Sequence, residues 1–171
     1  MQVPLEKASY VLLLNKGALP RAVVYYAWEG VEEGSELKRL ADPSWNPWKT
    51  VLGSSSIGSR EGNVPADPAR ITEYSTTRIT VQVSAKTDAI LLLNDKYDAN
   101  WHVNVDGEDK ELLRCNYIMR GVRVPAGAHN VVFSYRSPYL MPVWVRVGSL
   151  LLAISWCVAR IVPFRRKSFS Q

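Results

Sequence analysis

Short β-strands are predicted over most of the chain by the pattern of apolar and polar residues. Apolar side chains alternate with polar ones in residues 78–84, which is typical of a strand with one buried face. Residues 89–93 are apolar throughout, which indicates a central strand covered on both faces. Further strands are predicted at 19–29, 70–74, 101–105, 110–114, 117–124 and 129–136.

Turn residues separate these strands at intervals of about 8–12 residues, as in a β-sandwich. Asp106-Gly107 predicts a hairpin between the strands on either side of it. The strands before and after Pro125-Ala-Gly127 are expected to pair with each other, since Gly127 supplies the positive φ of a tight turn. The fold class is therefore predicted to be all-β, an antiparallel sandwich of the immunoglobulin or jelly-roll type.

Two further segments precede the regular strands. A short helix is predicted at 35–41, with Ser35 as its N-cap and Asp42-Pro43 as its end. Residues 53–69 are rich in Gly, Ser, Pro and charge and contain almost nothing to bury, which predicts a long flexible loop. The domain is expected to span 19–140, after a lead-in segment at 1–18.

An apolar run between Pro142 and Pro163 indicates a C-terminal helix. Its length of roughly 20 residues matches a membrane-spanning helix, and the two prolines mark its ends. We therefore predict one transmembrane helix at 141–163. A buried amphipathic helix is the alternative.

Charged residues limit the uncharged part of this helix to 147–159. At 1.5 Å per residue that part is about 20 Å long, against a hydrocarbon core of about 30 Å. Arg146 and Arg160 are therefore expected to extend to opposite interfaces, with Trp144 as an interfacial anchor.

The formal net charge of +5 is confined to the C-terminal end, because Lys and Arg balance Asp and Glu over residues 1–140. This distribution is typical of a membrane anchor and not of a nucleic-acid interface. The basic tail at 164–171 predicts a cytoplasmic C-terminus and an extracytoplasmic domain. The excess positive residues are Arg146, Arg160, Arg165, Arg166 and Lys167.

Export of a domain that precedes its only membrane helix requires a signal. The apolar run at 10–14 is shorter than the roughly 7–15 residues of a signal peptide core. Two explanations stay open. Either the chain is tail-anchored with a cytoplasmic domain, or it is the C-terminal part of a larger multi-span protein.

Catalytic and metal-binding motifs are not evident in the sequence. Cys115 and Cys157 have no Cys or His at metal-ligand spacing and are not expected to form a disulfide. His102 and His129 are interpreted as structural residues. Asp95, Asp98 and Asp106 bracket Trp101, as a catalytic carboxylate pair beside an aromatic platform would, but a turn role for Asp106 and loop roles for the other two are the better interpretation. No catalytic residue, cofactor or metal is therefore predicted.

Aromatic side chains are the candidate glycan contacts. Trp45, Trp48 and Trp101 could stack on a sugar ring, although buried aromatic anchors are common in sandwiches. Loss of sugar affinity in Trp101→Ala or Trp48→Ala would identify such a role.

A series of motifs in residues 91–138 has a specific order and spacing. A tryptophan precedes a Val-Asp-Gly turn, an Arg-Gly strand leads into Pro-Ala-Gly-x-His, and a tyrosine and a proline mark the last strand exit. The series resembles the C-terminal extracytoplasmic segment of the YfhO-type bacterial membrane proteins, and the resemblance covers roughly residues 9–162. The motif residues are Trp101, Asp106, Gly107, Arg120, Gly121, Pro125, Gly127, His129, Tyr135 and Pro138.

The resemblance implies a protein that is larger than this sandwich domain. Such proteins are multi-span and similar to C-type glycosyltransferases, with a lipid-linked sugar donor and an acidic catalytic residue in an early extracytoplasmic loop. This sequence contains neither those helices nor that loop, so it looks like a detached C-terminus. Asn100 stands where the family has Gly, and Asn also tolerates positive φ.

The expected function is that of a non-catalytic domain that assists envelope-glycan modification at the bacterial cell membrane. Its expected partners are the lipid bilayer and either a polytopic glycosyltransferase-like membrane protein or an envelope glycan. Two alternatives stay open: a free-standing membrane-tethered carbohydrate-binding module, and a tail-anchored scaffold.

Overall fold

A computed structural model describes residues 17–138 and 143–161. Twelve strands and two α-helices lie in these ranges. The first part contains β1 Ala22–Tyr25, β2 Ala27–Val31, α1 Glu36–Leu40, β3 Thr50–Ser54, β4 Asp67–Pro68, β5 Arg70–Tyr74 and β6 Arg78–Ala85. The second contains β7 Ala89–Lys96, β8 Trp101–Val105, β9 Glu108–Lys110, β10 Leu113–Cys115, β11 Met119–Val124, β12 Gly127–Tyr135 and α2 Val143–Ile161.

The strands form two sheets that pack as a sandwich. The larger sheet has the order β2-β3-β10-β11-β7-β1-β4, and the smaller sheet has the order β5-β6-β12-β8-β9. One core cluster combines side chains from both sheets, including Val24 and Leu91 of the larger and Val81 and Phe133 of the smaller. The predicted β-sandwich is therefore confirmed.

Strand β7 is buried on both faces, as its continuous apolar sequence predicts. Leu91 and Leu93 point into the core between the sheets. Ile90 and Leu92 belong to a second cluster on the other face of the larger sheet, which also contains Tyr25 and Val51. The position of β7 between β11 and β1 explains why neither of its faces carries polar residues before Asn94.

The sandwich is not purely antiparallel, which corrects the prediction. β2 and β3 pair in parallel, with Trp28 opposite Val51. The predicted single strand at 19–29 is two strands, which lie at different positions of the larger sheet. A parallel pair requires a crossover connection, and here that connection contains α1.

Two predicted connections have different roles in the structure. β11 belongs to the larger sheet and β12 to the smaller, so the Pro125–Gly127 turn joins the sheets instead of closing a hairpin. The return strand expected at 110–114 is divided in the same way into β9 and β10. In contrast, the β8–β9 hairpin is confirmed, with φ of 52° at Asp106 and 94° at Gly107.

The segment predicted as a flexible loop at 53–69 is partly ordered. It includes the end of β3, a 3-10 turn at Ser55–Ile57 and the short strand β4. Ile57 is buried against the second core cluster, so this segment covers one face of the larger sheet. The prediction from sequence missed this order because it comes from contacts with distant parts of the chain: Arg60 pairs with Trp28, β4 pairs with β1, and Ile57 enters the second core cluster.

Helix α1 forms as predicted but is not capped by the predicted contact. Ser35 makes no side-chain capping bond to the helix, and its hydroxyl instead donates to the carbonyl oxygen of Glu32 at 2.6 Å. Arg39 then forms an ion pair with Glu29 of β2 at 2.8 Å, which connects the helix to the sheet.

The C-terminal unit, described by itself, contains α2. Within the described residues no helix is both long enough and apolar enough to cross a membrane. The transmembrane helix predicted at 141–163 is therefore supported as a helix and not as a membrane span, and its two arginines interrupt the apolar run. The lead-in up to residue 16, residues 162–163, the basic tail at 164–171 and the Trp144, Arg146 and Arg160 side chains lie outside what the structure describes.

Candidate functional site

Opposite ends of the sandwich bring together two groups of the motif residues. β7 and β11 are antiparallel, with Ala89 opposite Val124 at one end and Lys96 opposite Met119 at the other. Arg120, near the start of β11, therefore lies at the same end as Lys96. Pro125, just after the end of β11, lies at the same end as Ala89. We call these the arginine end and the cleft end.

Arg120 is the centre of the arginine end. Its side chain is only 4% exposed, and one guanidinium nitrogen lies 3.0 Å from a carboxylate oxygen of Asp95. Another donates to the carbonyl oxygen of Lys96 at 3.2 Å. The guanidinium lies 3.8 Å from the ring centroid of Trp101, and Tyr135 packs edge-on against the same ring at 5.5 Å. Burial lowers the pKa of Arg120 below its ordinary value.

Asp95 connects this cluster to the surface. Its other carboxylate oxygen accepts from Arg21 at 2.8 Å, so it bridges two arginines. Arg21 also hydrogen-bonds the Tyr74 hydroxyl and stacks over that ring at 4.0 Å. The hydrogen bond to Asp95 raises the pKa of Arg21 above its ordinary value. The cluster thus connects β5, β7 and β11 with Arg21, the residue before β1, and both sheets contribute to it.

At the cleft end, His129 and Asp106 form a close pair. Nδ1 of His129 lies 2.6 Å from a carboxylate oxygen of Asp106, and Nε2 lies 3.3 Å from the carbonyl oxygen of Ala126. A ring with an acceptor at each nitrogen is best satisfied when both nitrogens donate, as in the imidazolium form. The hydrogen bond raises the pKa of His129 and lowers that of Asp106.

Three turns are joined around this pair. Asp106, in the β8–β9 turn, also accepts from the backbone N–H of Asn130 at 2.8 Å. Asp88, in the β6–β7 turn, accepts from the backbone N–H of Ala126 at 3.3 Å. The β11–β12 turn contains Gly127, whose φ of 124° confirms the predicted positive value. Side-chain bonds between neighbouring turns fix the geometry of this end.

An open cleft of about 610 Å³ lies between these turns. Carboxylates, cations and one aromatic ring share its lining. Trp28 is 8% exposed, and the guanidinium groups of Arg60 and Arg123 lie 5.3 Å and 5.5 Å from its ring centroid. The other lining residues with ionisable groups are Asp88, Asp106, Glu108, Lys110 and His129.

The tryptophans proposed from sequence as glycan contacts lie elsewhere. Trp101 begins β8 at the arginine end, and one face of its ring is covered by Arg120. Trp45 and Trp48 precede β3 of the larger sheet, and Trp48 is 45% exposed. The structure therefore places Trp101 in the smaller sheet and Trp45 and Trp48 together in the segment before β3 of the larger sheet, and their sugar contact stays a prediction.

Each of the three carboxylates that could have formed a catalytic pair has its own hydrogen-bonding partners. Asp95 bridges arginines, and Asp98 accepts from the backbone and side-chain nitrogens of Asn100 at 2.8 Å. Asp106 lies at the far end of β8 from Trp101, about 17 Å away for an extended strand. Their arrangement serves turns and ion pairs.

Sequence reasoning missed Trp28, Arg123 and Arg21 as members of these sites. Trp28 lies inside the strand predicted at 19–29, and the structure buries all but 8% of its surface. The chain that follows β3 returns along β2 and brings Arg60 beside Trp28, in an isolated bridge with backbone hydrogen bonds of 3.0 and 2.8 Å. No local signal predicts that pairing, because the two residues belong to separate stretches of the chain.

The His129–Asp106 pair predicts a pH-dependent stability. Because the folded-state pKa of His129 is raised above the ordinary histidine value of 6.5, its stabilising contribution is complete below about pH 6.5 and is lost as the pH rises through the folded-state pKa. Asp106 has a lowered pKa, so its contribution holds above about pH 4 and disappears only in stronger acid. The urea midpoint of the full chain, followed by tryptophan fluorescence, should fall between pH 6 and pH 8.5.

Two variants test whether the His129–Asp106 pair causes the fall in the urea midpoint. His129→Gln should flatten it, and Asp106→Asn should return the imidazole titration, measured by NMR, towards its ordinary value. An equal decline in wild type and His129→Gln would show that other groups are responsible.

Part of the chain matches a known protein family. Residues 63–145 match the family model described as "Bacterial membrane protein YfhO". This range begins before β4 and includes Asp95, Trp101 and Arg120 of the arginine end, but not Arg21, and it includes the turns of the cleft end. Searches of curated proteins and of solved structures found no match to the chain.

Proposed function

The chain belongs, through residues 63–145, to the YfhO family of bacterial membrane proteins, and from this premise we propose that it is a non-catalytic extracytoplasmic β-sandwich with its last membrane helix. In this role it assists the transfer of lipid-linked sugar to an envelope glycan by shaping or covering the active side of a larger membrane unit.

The observation that carries the proposal is the exposed apolar surface of α2. A helix that is apolar around its circumference is stable when apolar material surrounds it, either a protein core or lipid. For a member of a family of membrane proteins, the lipid bilayer is the apolar surrounding available to α2. The side chains of Leu150, Leu151, Leu152, Ile154 and Trp156 are between 50% and 74% exposed.

The engagement of the carboxylates supports a non-catalytic role. Asp95 and Asp106 each accept two or more hydrogen bonds from groups that connect strands or turns. A general acid or base must instead present its carboxyl group to a substrate. These side chains hold the domain in one shape, as expected of a part that positions other components.

Cysteine labelling tests the proposed topology. The protein is expressed from its chromosomal reading frame with Cys157→Ser, which leaves the fully buried Cys115, whose pKa burial raises to about 12, as an unreactive thiol. A membrane-impermeant maleimide should label Asp109→Cys, on the exposed strand β9, in intact cells. It should label Gln171→Cys only after the cells are opened.

The opposite labelling pattern would place the domain in the cytoplasm and favour the tail-anchored scaffold. Labelling of both positions only in opened cells, with the protein in the soluble fraction, would contradict a membrane-spanning α2. The Cys157→Ser chain without an added cysteine gives the background for both comparisons.

A further inference from the structure

The polar lining of the cleft contains equal numbers of acidic and basic side chains. Asp88, Asp106 and Glu108 face the same space as Lys110, Arg123 and His129. An anionic ligand would meet three carboxylates there, and a cationic ligand would meet three positive groups. Hydroxyl groups both donate and accept, so a neutral ligand with several hydroxyls can use both kinds of partner.

Several of these groups keep hydrogen-bonding capacity beyond their contacts within the protein. Lys110 pairs with Glu108 at 2.7 Å through one carboxylate oxygen, which leaves the other oxygen and further ammonium protons for a ligand. Arg123 uses one terminal nitrogen to donate to the carbonyl oxygen of Ile57, and a guanidinium has five N–H donors. Donors and acceptors therefore lie side by side in the cleft.

The Trp28 ring supplies an apolar contact within this polar lining. Its burial in the second core cluster and its contacts with the Arg60 and Arg123 guanidinium groups fix the ring before any ligand arrives. Arg60 is itself held, because it donates to the backbone carbonyl of Asp88 at 2.7 Å. A fixed aromatic surface beside convergent polar groups is a usual composition for a small-molecule site.

We propose that this cleft is a binding site for a neutral saccharide, with Glu108, Lys110, Arg123 and Asp88 as its hydrogen-bonding groups and the Trp28 ring as its apolar contact. The volume of about 610 Å³ lies within the roughly 300–1,000 Å³ of ligand pockets, which allows more than one sugar ring. The inference rests on the proposed function only in placing the domain beside envelope glycans. It assigns recognition to the cleft end and not to Trp48 or Trp101.

The test uses the full chain in lipid nanodiscs, because many detergents carry saccharide headgroups that would compete. Neutral tri- and tetrasaccharides built from glucose, galactose and N-acetylglucosamine are titrated by calorimetry and by saturation-transfer NMR. Glucose 1-phosphate and glycerol are the charged and minimal comparison probes. We expect saturable binding of at least one oligosaccharide and weaker or no binding of both comparison probes.

Variants of neighbouring residues on β9 give a matched control. Glu108→Gln should weaken the affinity at least tenfold, because the carboxylate lines the cleft. Asp109→Asn removes the same charge from the next residue, whose side chain points to the opposite face of the strand, and should leave the affinity unchanged. Arg123→Gln should also reduce binding, and its thermal midpoint is measured to separate lost contact from lost folding.

Three results would overturn the proposal. They are the lack of saturable binding by any oligosaccharide, equal loss in Glu108→Gln and Asp109→Asn, and preferential binding of glucose 1-phosphate, which would make the cleft an anion site. Loss of affinity in Trp101→Ala or Trp48→Ala with an unchanged Glu108→Gln would move the site to those rings. The topology of the domain is measured independently by labelling, so a failure here leaves the proposed function separately testable.

Discussion

Asp95→Asn is expected to lower the free energy of unfolding by about 3–5 kcal/mol, the range for removing one partner of a buried ion pair. Asp95 and Arg120 have side chains only 13% and 4% exposed, so water cannot replace the lost carboxylate. The guanidinium would keep its stacking on Trp101 and its bond to the Lys96 carbonyl but would remain charged without a counterion. Urea unfolding of the full chain, followed by tryptophan fluorescence, measures the change.

An exposed ion pair provides the control for this prediction, and a double variant tests the effect of the unpaired charge. Glu108→Gln breaks an ion pair whose side chains are 76% and 42% exposed, and should change stability by no more than about 1 kcal/mol. Arg120→Met in the Asp95→Asn background should recover part of the loss, because it removes the unpaired charge. If the double variant is less stable than Asp95→Asn alone, the stacking on Trp101 matters more than the ion pair.

Gly121→Ala is expected to destabilise the domain by about 1–3 kcal/mol, as overpacking of a filled core does. A Cβ at this position would lie 2.9 Å from the backbone carbonyl oxygen of Leu91 and 2.9 Å from the Sγ of Cys115. The carbonyl belongs to the central strand β7 and cannot move without disturbing the ladder with β11. Thermal and urea unfolding of the full chain should both show the loss.

The matched control for this substitution is Gly148→Ala. A Cβ built at Gly148 meets nothing within 4 Å, and Ala is the better helix former, so no loss is expected. Cys115→Ala combined with Gly121→Ala should relieve the contact with sulfur but not the contact with the carbonyl. Full recovery in that double variant would show that the backbone contact is unimportant.

Local patterns were sufficient to predict most strands but not the partners of several of them. The alternation in β6 and the apolar run in β7 each follow from one face or two faces being buried, which is a property of the strand itself. The partner of β11 is not such a property. Pro125–Gly127 is a good turn sequence in either case, and whether the chain closes a hairpin or crosses to the other sheet depends on where β7 and β6 already lie.

The candidate sites show the same limit. The sequence motifs identified Arg120, Trp101 and His129, since each stands in a recognisable local pattern. Asp106 also stands in such a pattern, the Val-Asp-Gly turn, but nothing in that pattern shows that it pairs with His129. Asp95, the partner of Arg120, is not among the motif residues, and the two ion pairs lie at opposite ends of the sandwich. Contacts over 23 and 25 residues of sequence depend on strand register, which no local pattern specifies.

Strand β12 has a mechanical consequence. It lies between β6 and β8 in the smaller sheet, with residue pairs along Gly127–Ser134 on one side and Val131–Tyr135 on the other. A force transmitted from the C-terminal side of Tyr135 would pull along the strand, while its ladder hydrogen bonds run perpendicular to it. The hydrogen bonds to β6 and β8 would then be loaded together in shear. β12, the last strand before the C-terminal segment, is therefore also a strand that resists being pulled out of the fold.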